Sequence, residues 1–287
     1  MSQNLLNLSD LKEQDILELI ELANNFKSED LLEYRHENLF PDKKVASIFC
    51  EPSTRTKLSF EIASCNLGAT FIDFNIENSS IQKGETIEDT IEAMMLMGID
   101  LCILRHAKSV IHDLAHAFPS MQFINAGEGA IAHPSQALLD LMTIKESKET
   151  FKDLKITIVG DLDHSRVVSS FLEAIQIVGY KSLTFCGHPD LCKTFLENPV
   201  GNFEPELDIA LQDADVIIAL RIQNERLTEK LSISAEDYIE RYQINIDTLQ
   251  AASSDAILLH PGPVNFGIEL NKEVSDLENC KIKNQIF

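Results

Sequence analysis

Positive charge is scarce in this sequence. Across 287 residues, 24 lysines and arginines face 46 aspartates and glutamates, a formal net charge of −22. Most of such a surface repels nucleic acid and anionic membranes, so neither is expected as a partner. Long apolar runs are missing too: no stretch approaches the roughly 20 apolar residues of a membrane span. The opening MSQNLLNLSDLKEQD has neither the basic start nor the apolar core of a secretion signal. Six cysteines, at 50, 65, 102, 186, 192 and 280, include no CxxC pair. That predicts reduced, mostly buried thiols in a cytoplasmic protein. Cys186, His188 and Cys192 lie close together, but two thiols and one imidazole do not complete a four-ligand zinc site, and no metal is expected.

Several catalytic signatures are also absent: GxGxxG, a Walker A sequence, HExxH and GxSxG. The dinucleotide, nucleoside triphosphate, zinc-protease and serine-hydrolase readings lose their main support with them. IVGDLDHS resembles the start of a nucleotide-binding turn but carries a single glycine. No cofactor and no covalent nucleophile are expected. Chemistry here would run by positioning two reactants and stabilising developing negative charge.

What is present is an alternation of short apolar runs with helical patterns. VASIFC (45–50), ATFIDF (69–74), DLCILR (100–105) and FINA (123–126) read as strands of a first half, with helices over 9–26, 56–66 and 85–97. KITIVGD (155–161), SLTFCG (182–187), DVIIALR (215–221) and AILLHPGP (256–263) repeat the scheme, with a helix over 165–179. Continuous apolar strands separated by helices predict parallel sheets covered on both faces. The fold class is therefore α/β, two doubly wound domains joined by a linking helix at 134–146. The length suits two domains.

The seven arginines stand at 35, 55, 105, 166, 221, 226 and 241. Arg105 and Arg221 end buried strands; Arg55 and Arg166 fall in the turns that follow strands. Ligands of open α/β sheets bind along that edge. Four of seven arginines there, in so acidic a chain, predict a cationic pocket for a ligand with several negative charges, in two separate anionic groups. The stretch EPSTRTKLSFE (51–61) crowds Ser53, Thr54, Arg55 and Thr56 at a helix start. They are either an ordinary hydroxyl cap or a phosphate cradle of free N–H groups, hydroxyls and a guanidinium. In AIAHPSQALLDL, His133 and Gln136 stand about one turn apart, as a cap with a surface amide or as ligand contacts. After another strand, His260-Pro261-Gly262-Pro263 forms a rigid turn that fixes backbone carbonyls. SSIQKGETIEDT (79–90) is a polar loop in which Lys83 could close over a ligand.

In order, STRTKLSFE, QKGET, ILRH, HPSQALLDL, GDLDHSRV, LRIQNER and HPGPVN resemble the motifs of the aspartate/ornithine carbamoyltransferases. The likeness runs from near residue 5 to about 285. It is closer to the aspartate branch: the ornithine branch has HCLP where this chain has HPGP, and SMG where it has LRIQNER. A second carboxylate on the acceptor calls for arginine. The resemblance implies a carbamoyl-phosphate-binding domain over 1–145 and an aspartate-binding domain over 146–287. It implies transfer of a carbamoyl group from carbamoyl phosphate to the amine of L-aspartate, giving N-carbamoyl-L-aspartate and phosphate for pyrimidine synthesis.

By the same resemblance, Ser53, Thr54, Arg55 and Thr56 would hold the phosphate, and Arg105 would bridge it to the carbonyl oxygen. Thr56, Arg105 and His133 would stabilise the oxyanion. Gln136 and the carbonyls of the Pro261-Gly262-Pro263 turn would accept from the carbamoyl NH2. Arg166, Arg221 and Gln223 would take the aspartate carboxylates. Lys83 and Ser79 would reach a neighbouring subunit's site, implying a homotrimer with shared active sites; a regulatory chain or another pyrimidine-pathway enzyme stays open as a further partner. Two departures stand out: Phe266 replaces the family's arginine, and the family's final helix is missing after IKNQIF, which predicts an exposed apolar strip and weaker domain coupling. Two alternatives stand beside this reading: a catalytically weak relative kept as an assembly partner, and a transcarbamoylase for another amino-acid acceptor.

Overall fold

The computed structural model describes residues 4–27, 39–198, 200–222 and 233–286. The chain forms two compact units, 1–135 and 136–287, each a parallel sheet with helices between its strands.

The first unit contains β1 (Lys44–Phe49), β2 (Thr70–Phe74), β3 (Leu101–His106) and β4 (Gln122–Glu128), in the order β2-β1-β3-β4. All neighbours are parallel. Alternate residues serve opposite faces: Ala46, Ile48, Cys102 and Leu104 join one core cluster, Val45 and Ile103 the other. That period of two is why these strands read as continuous apolar runs. Helices α1 (Glu13–Lys27), α2 (Thr54–Asn66), α3 (Ile87–Leu96) and α4 (Ile111–Ala117) belong to this unit. From β1 the chain goes first to one side, through α2 to β2, and then returns through α3 to β3 on the other. The carboxyl ends of β1 and β3 therefore flank a topological switch point.

Helix α5 (Pro134–Ser147) carries the chain onward into the second unit, where β5 (Lys155–Val159), β6 (Ser182–Cys186), β7 (Asn202–Phe203), β8 (Val216–Ala219) and β9 (Ile257–Leu259) lie in the order β7-β6-β5-β8-β9. Its switch point lies between β5 and β8. Helices α6 (Arg166–Val178), α7 (Leu207–Ala210) and α8 (Ala235–Tyr242) connect these strands. Along α6 the buried Val168, Phe171, Leu172, Ile175 and Val178 recur at helical spacing, each contributing roughly 1.5–3 kcal/mol of apolar burial. A Cβ at Gly160 would meet the Leu220 carbonyl oxygen at 2.6 Å. Only glycine lets the ends of β5 and β8 approach so closely, which draws the segments carrying Arg166 and Arg221 to one edge. No described helix is long and apolar enough to cross a membrane.

Candidate active site

Register fixes the first cluster. Phe49 of β1 pairs with Arg105 of β3, and the Cys50 N–H donates to the Arg105 carbonyl at 2.8 Å. The 51–56 segment therefore leaves the sheet directly beside Arg105. The Arg105 side chain, 11% exposed, donates from Nη1 to the Ala126 carbonyl at 3.2 Å, with Nε 3.7 Å from a Glu51 carboxylate oxygen. Glu51 offsets part of the charge of this largely buried guanidinium; its only sequence signal is its place before Pro52.

Helix α2 starts at Thr54, two residues earlier than its pattern predicts, with Ser53 at the N-cap. The Ser53 hydroxyl makes no cap bond, so the ordinary cap reading does not describe it. Position 133 is set by a tight turn after β4, where the Glu128 and Ala132 backbones pair with each other. His133 is nearly buried, its Nδ1 3.3 Å from the Ser135 hydroxyl. Glu128, also buried, accepts from the Val110 and Ile111 N–H groups at 2.5 and 2.9 Å, capping α4 from the end of β4. Lys83 stands apart at the exposed end of a short 3-10 turn (Ser80–Lys83), before Gly84 at φ 97°; Ser79 caps that turn through its hydroxyl. Lys83 forms no hydrogen bond or ion pair with the Arg105 cluster.

In the second unit the loop after β5 is tightly pinned. Buried Asp161 accepts from His164 Nδ1 at 2.8 Å; Asp163 accepts from the Lys193 and Thr194 N–H groups at 2.6 and 3.1 Å. This delivers Arg166, itself 4% exposed, as the first residue of α6. Cys192 is buried with its thiol 3.5 Å from the Gly160 carbonyl, and His188 caps the following turn through Nδ1. Arg221 follows β8, and His260, Pro261, Gly262 and Pro263 follow β9 on the neighbouring strand. The Gly262 N–H donates to His260 Nδ1 at 2.8 Å, and the Gly262–Pro263 peptide is cis. Phe266 is 48% exposed. Gln223 lies outside the described residues.

One buried group in this unit has no sequence signal. Asp140 on α5 is fully buried, and its Oδ1 accepts from Gln136 Nε2 at 2.9 Å and from Gln285 Nε2 at 2.6 Å. Gln285 in turn accepts the His260 N–H at 2.9 Å through Oε1. Burial pushes the Asp140 carboxyl up to about 7, while the two amide bonds pull it the other way.

Helix starts reveal the electrostatics. Helices α1, α3, α4, α7 and α8 all carry an acid in the first turn, as the macrodipole favours. Helices α2, α5 and α6 carry none, and two of them place an arginine there, Arg55 and Arg166. A cation at a helix N-terminus costs about 0.3–1 kcal/mol unless an anion joins it. In a chain of charge −22, the acid-free starts of α2 and α6 leave each switch point with free N–H groups and an arginine that can take an anion.

Comparison with known proteins agrees with this geometry. Residues 3–146 match the family model for the aspartate/ornithine carbamoyltransferase carbamoyl-P binding domain, and residues 152–286 that for the Asp/Orn binding domain. The aspartate carbamoyltransferase catalytic subunit of Koribacter versatilis is 41% identical over 99% of this chain and 92% of its own length. That of Caldanaerobacter subterraneus is 38% identical over 100% and 93%. In three dimensions, aspartate transcarbamoylase from Trypanosoma cruzi, solved with carbamoyl aspartate and phosphate, is similar at a TM-score of 0.85 and 27% identity, over 99% of this chain and 90% of that one. Both halves and their order thus place this chain in the aspartate/ornithine carbamoyltransferase family.

Proposed function

We propose that this chain transfers the carbamoyl group of carbamoyl phosphate to the amine of L-aspartate, releasing N-carbamoyl-L-aspartate and phosphate for pyrimidine synthesis. The observation that carries the reading is the arginine-bearing, acid-free starts of α2 and α6, at the two switch points. Two anionic substrates need two such edges.

The first unit takes carbamoyl phosphate. Ser53, Thr54, Arg55 and Thr56 bind phosphate at the start of α2, where free N–H groups and hydroxyls converge. Arg105 spans phosphate and carbonyl oxygen, and with Thr56 and His133 it stabilises the oxyanion of the tetrahedral intermediate. One such donor is worth roughly 10²–10³ in rate. Gln136 and the carbonyls of Pro261 and Gly262, in the turn closed by Pro263, accept from the carbamoyl NH2. Arg166, Arg221 and Gln223 bind the two aspartate carboxylates. The neutral amine attacks the carbonyl carbon, a C–N bond forms, the C–O bond to phosphate breaks, and the amine proton leaves with phosphate or solvent. The working assembly is a cytoplasmic homotrimer in which Lys83 and Ser79 serve the neighbouring subunit's site; the exposure of Lys83 is what supports that reading.

The test is steady-state turnover of the purified chain with carbamoyl phosphate and either L-aspartate or L-ornithine. We expect L-aspartate to be preferred by orders of magnitude in kcat/KM. Equal or greater turnover of L-ornithine would overturn the reading.

A further inference from the structure

We propose that Asp140 is a positioning residue that fixes the orientation of the Gln136 amide and ties it, through Gln285, to the turn at Pro261–Pro263. The inference rests on the functional reading above, in which Gln136 and that turn accept from the carbamoyl NH2.

A glutamine amide has a donor end and an acceptor end, and only its partners decide which faces a ligand. Asp140 Oδ1 receives both Gln136 Nε2 and Gln285 Nε2, at 2.9 and 2.6 Å. Carboxylate or carboxylic acid, that oxygen accepts from both amides. Gln136 therefore turns its donor end to Asp140 and leaves Oε1 as the end available to a ligand. Gln285 is oriented independently: its Oε1 takes the His260 backbone N–H at 2.9 Å, so Nε2 must face Asp140. His260 Nδ1 accepts the Gly262 N–H at 2.8 Å. A continuous chain of hydrogen bonds thus runs from Gln136 through Asp140, Gln285 and His260 to Gly262. Residues 140, 260 and 285 are all buried, so water does not compete for these bonds. The network presents only acceptors, which an NH2 group can satisfy by donating and a methyl group cannot.

The experiment compares two ligands that differ at that one group. Carbamoyl phosphate carries NH2; acetyl phosphate carries CH3 in its place. For wild type and variants, the KM for carbamoyl phosphate is measured beside the inhibition constant of acetyl phosphate against it. Asp140→Leu keeps the bulk but frees both amides. It should raise the KM for carbamoyl phosphate about tenfold or more, the scale of one to two amide hydrogen bonds. The acetyl phosphate constant should move less than about threefold. Asp140→Asn should behave nearly as wild type, since Gln285, held by His260, keeps an oxygen at the Oδ1 position.

If Asp140→Leu does not fold, Gln285→Met tests the tie to the turn: it leaves Gln136 bonded to Asp140 but cuts the link to His260, and it should raise the carbamoyl phosphate KM by more than it moves the acetyl phosphate constant. Both constants moving together would mark general damage and overturn the proposal, as would no movement in a folded variant. Asp140→Asn behaving like Asp140→Leu would overturn it too. Wild type failing to turn over carbamoyl phosphate with L-aspartate would overturn the functional reading, and the proposal with it. An intact wild type with unmoved variants would overturn the proposal alone.

Discussion

Replacing Asp140 by asparagine should change how stability depends on pH. In the folded chain, burial holds this carboxyl at about 7 against an ordinary 3.8. A carboxyl raised on folding keeps a proton that the unfolded chain has released. Its contribution is complete below pH ~4 and is lost as pH rises through about 7. The gap between the two values is worth about 4 kcal/mol in all, at about 1.4 kcal/mol per pH unit, and more than half of it falls between pH 5 and pH 8. Asparagine does not titrate, and every other group cancels in the comparison. Relative to wild type, Asp140→Asn should therefore gain roughly 2–3 kcal/mol between those two pH values. Urea unfolding followed by tyrosine fluorescence reads mainly the right unit, because three of the four tyrosines, Tyr180, Tyr238 and Tyr242, lie within 136–287 and the chain has no tryptophan. An offset that stays constant from pH 5 to pH 8, or moves in favour of wild type, would refute the reasoning.

Three further predictions concern the proposed chemistry. Arg105→Ala should lower kcat by roughly 10²-fold or more with the fold intact by circular dichroism; near-normal turnover would remove Arg105 from the mechanism. Arg221→Ala should raise the L-aspartate KM by roughly 10- to 100-fold, the loss of a charge-assisted carboxylate pair, while carbamoyl phosphate binding changes far less; equal losses would contradict the division of labour between units. Lys83→Ala and Arg55→Ala chains, each inactive alone, should regain partial activity when mixed and reassembled. Mixed trimers without activity would falsify the cross-subunit role of Lys83.

The parts of the fold that sequence makes visible are those whose signal is local. β1, β3, β5 and β8 are buried on both faces, so they read as apolar runs, and an arginine at a strand end announces the functional edge. β7 has only two residues, Asn202 and Phe203, too few for any period. α4 has seven residues and starts after Val110, a poor cap by type; its cap is Glu128, 17 residues beyond Ile111. Local pattern cannot reveal a cap supplied by another strand. The same reason hides the Asp140 network. Asp140 reads as one more acid on a helix, and Gln285, 145 residues away, as one more surface amide. Arg105 and the 51–56 turn were legible separately, but their adjacency is a matter of strand order: β3, not β2, follows β1 across the switch point.

The central claim is that a new bond joins the carbamoyl carbon to the aspartate nitrogen. The most direct measurement is nuclear magnetic resonance of the purified chain with ¹³C-carbamoyl phosphate and ¹⁵N-L-aspartate. The account predicts one ¹³C–¹⁵N-coupled N-carbamoyl-L-aspartate formed for each phosphate released. Phosphate release without the coupled product would contradict it.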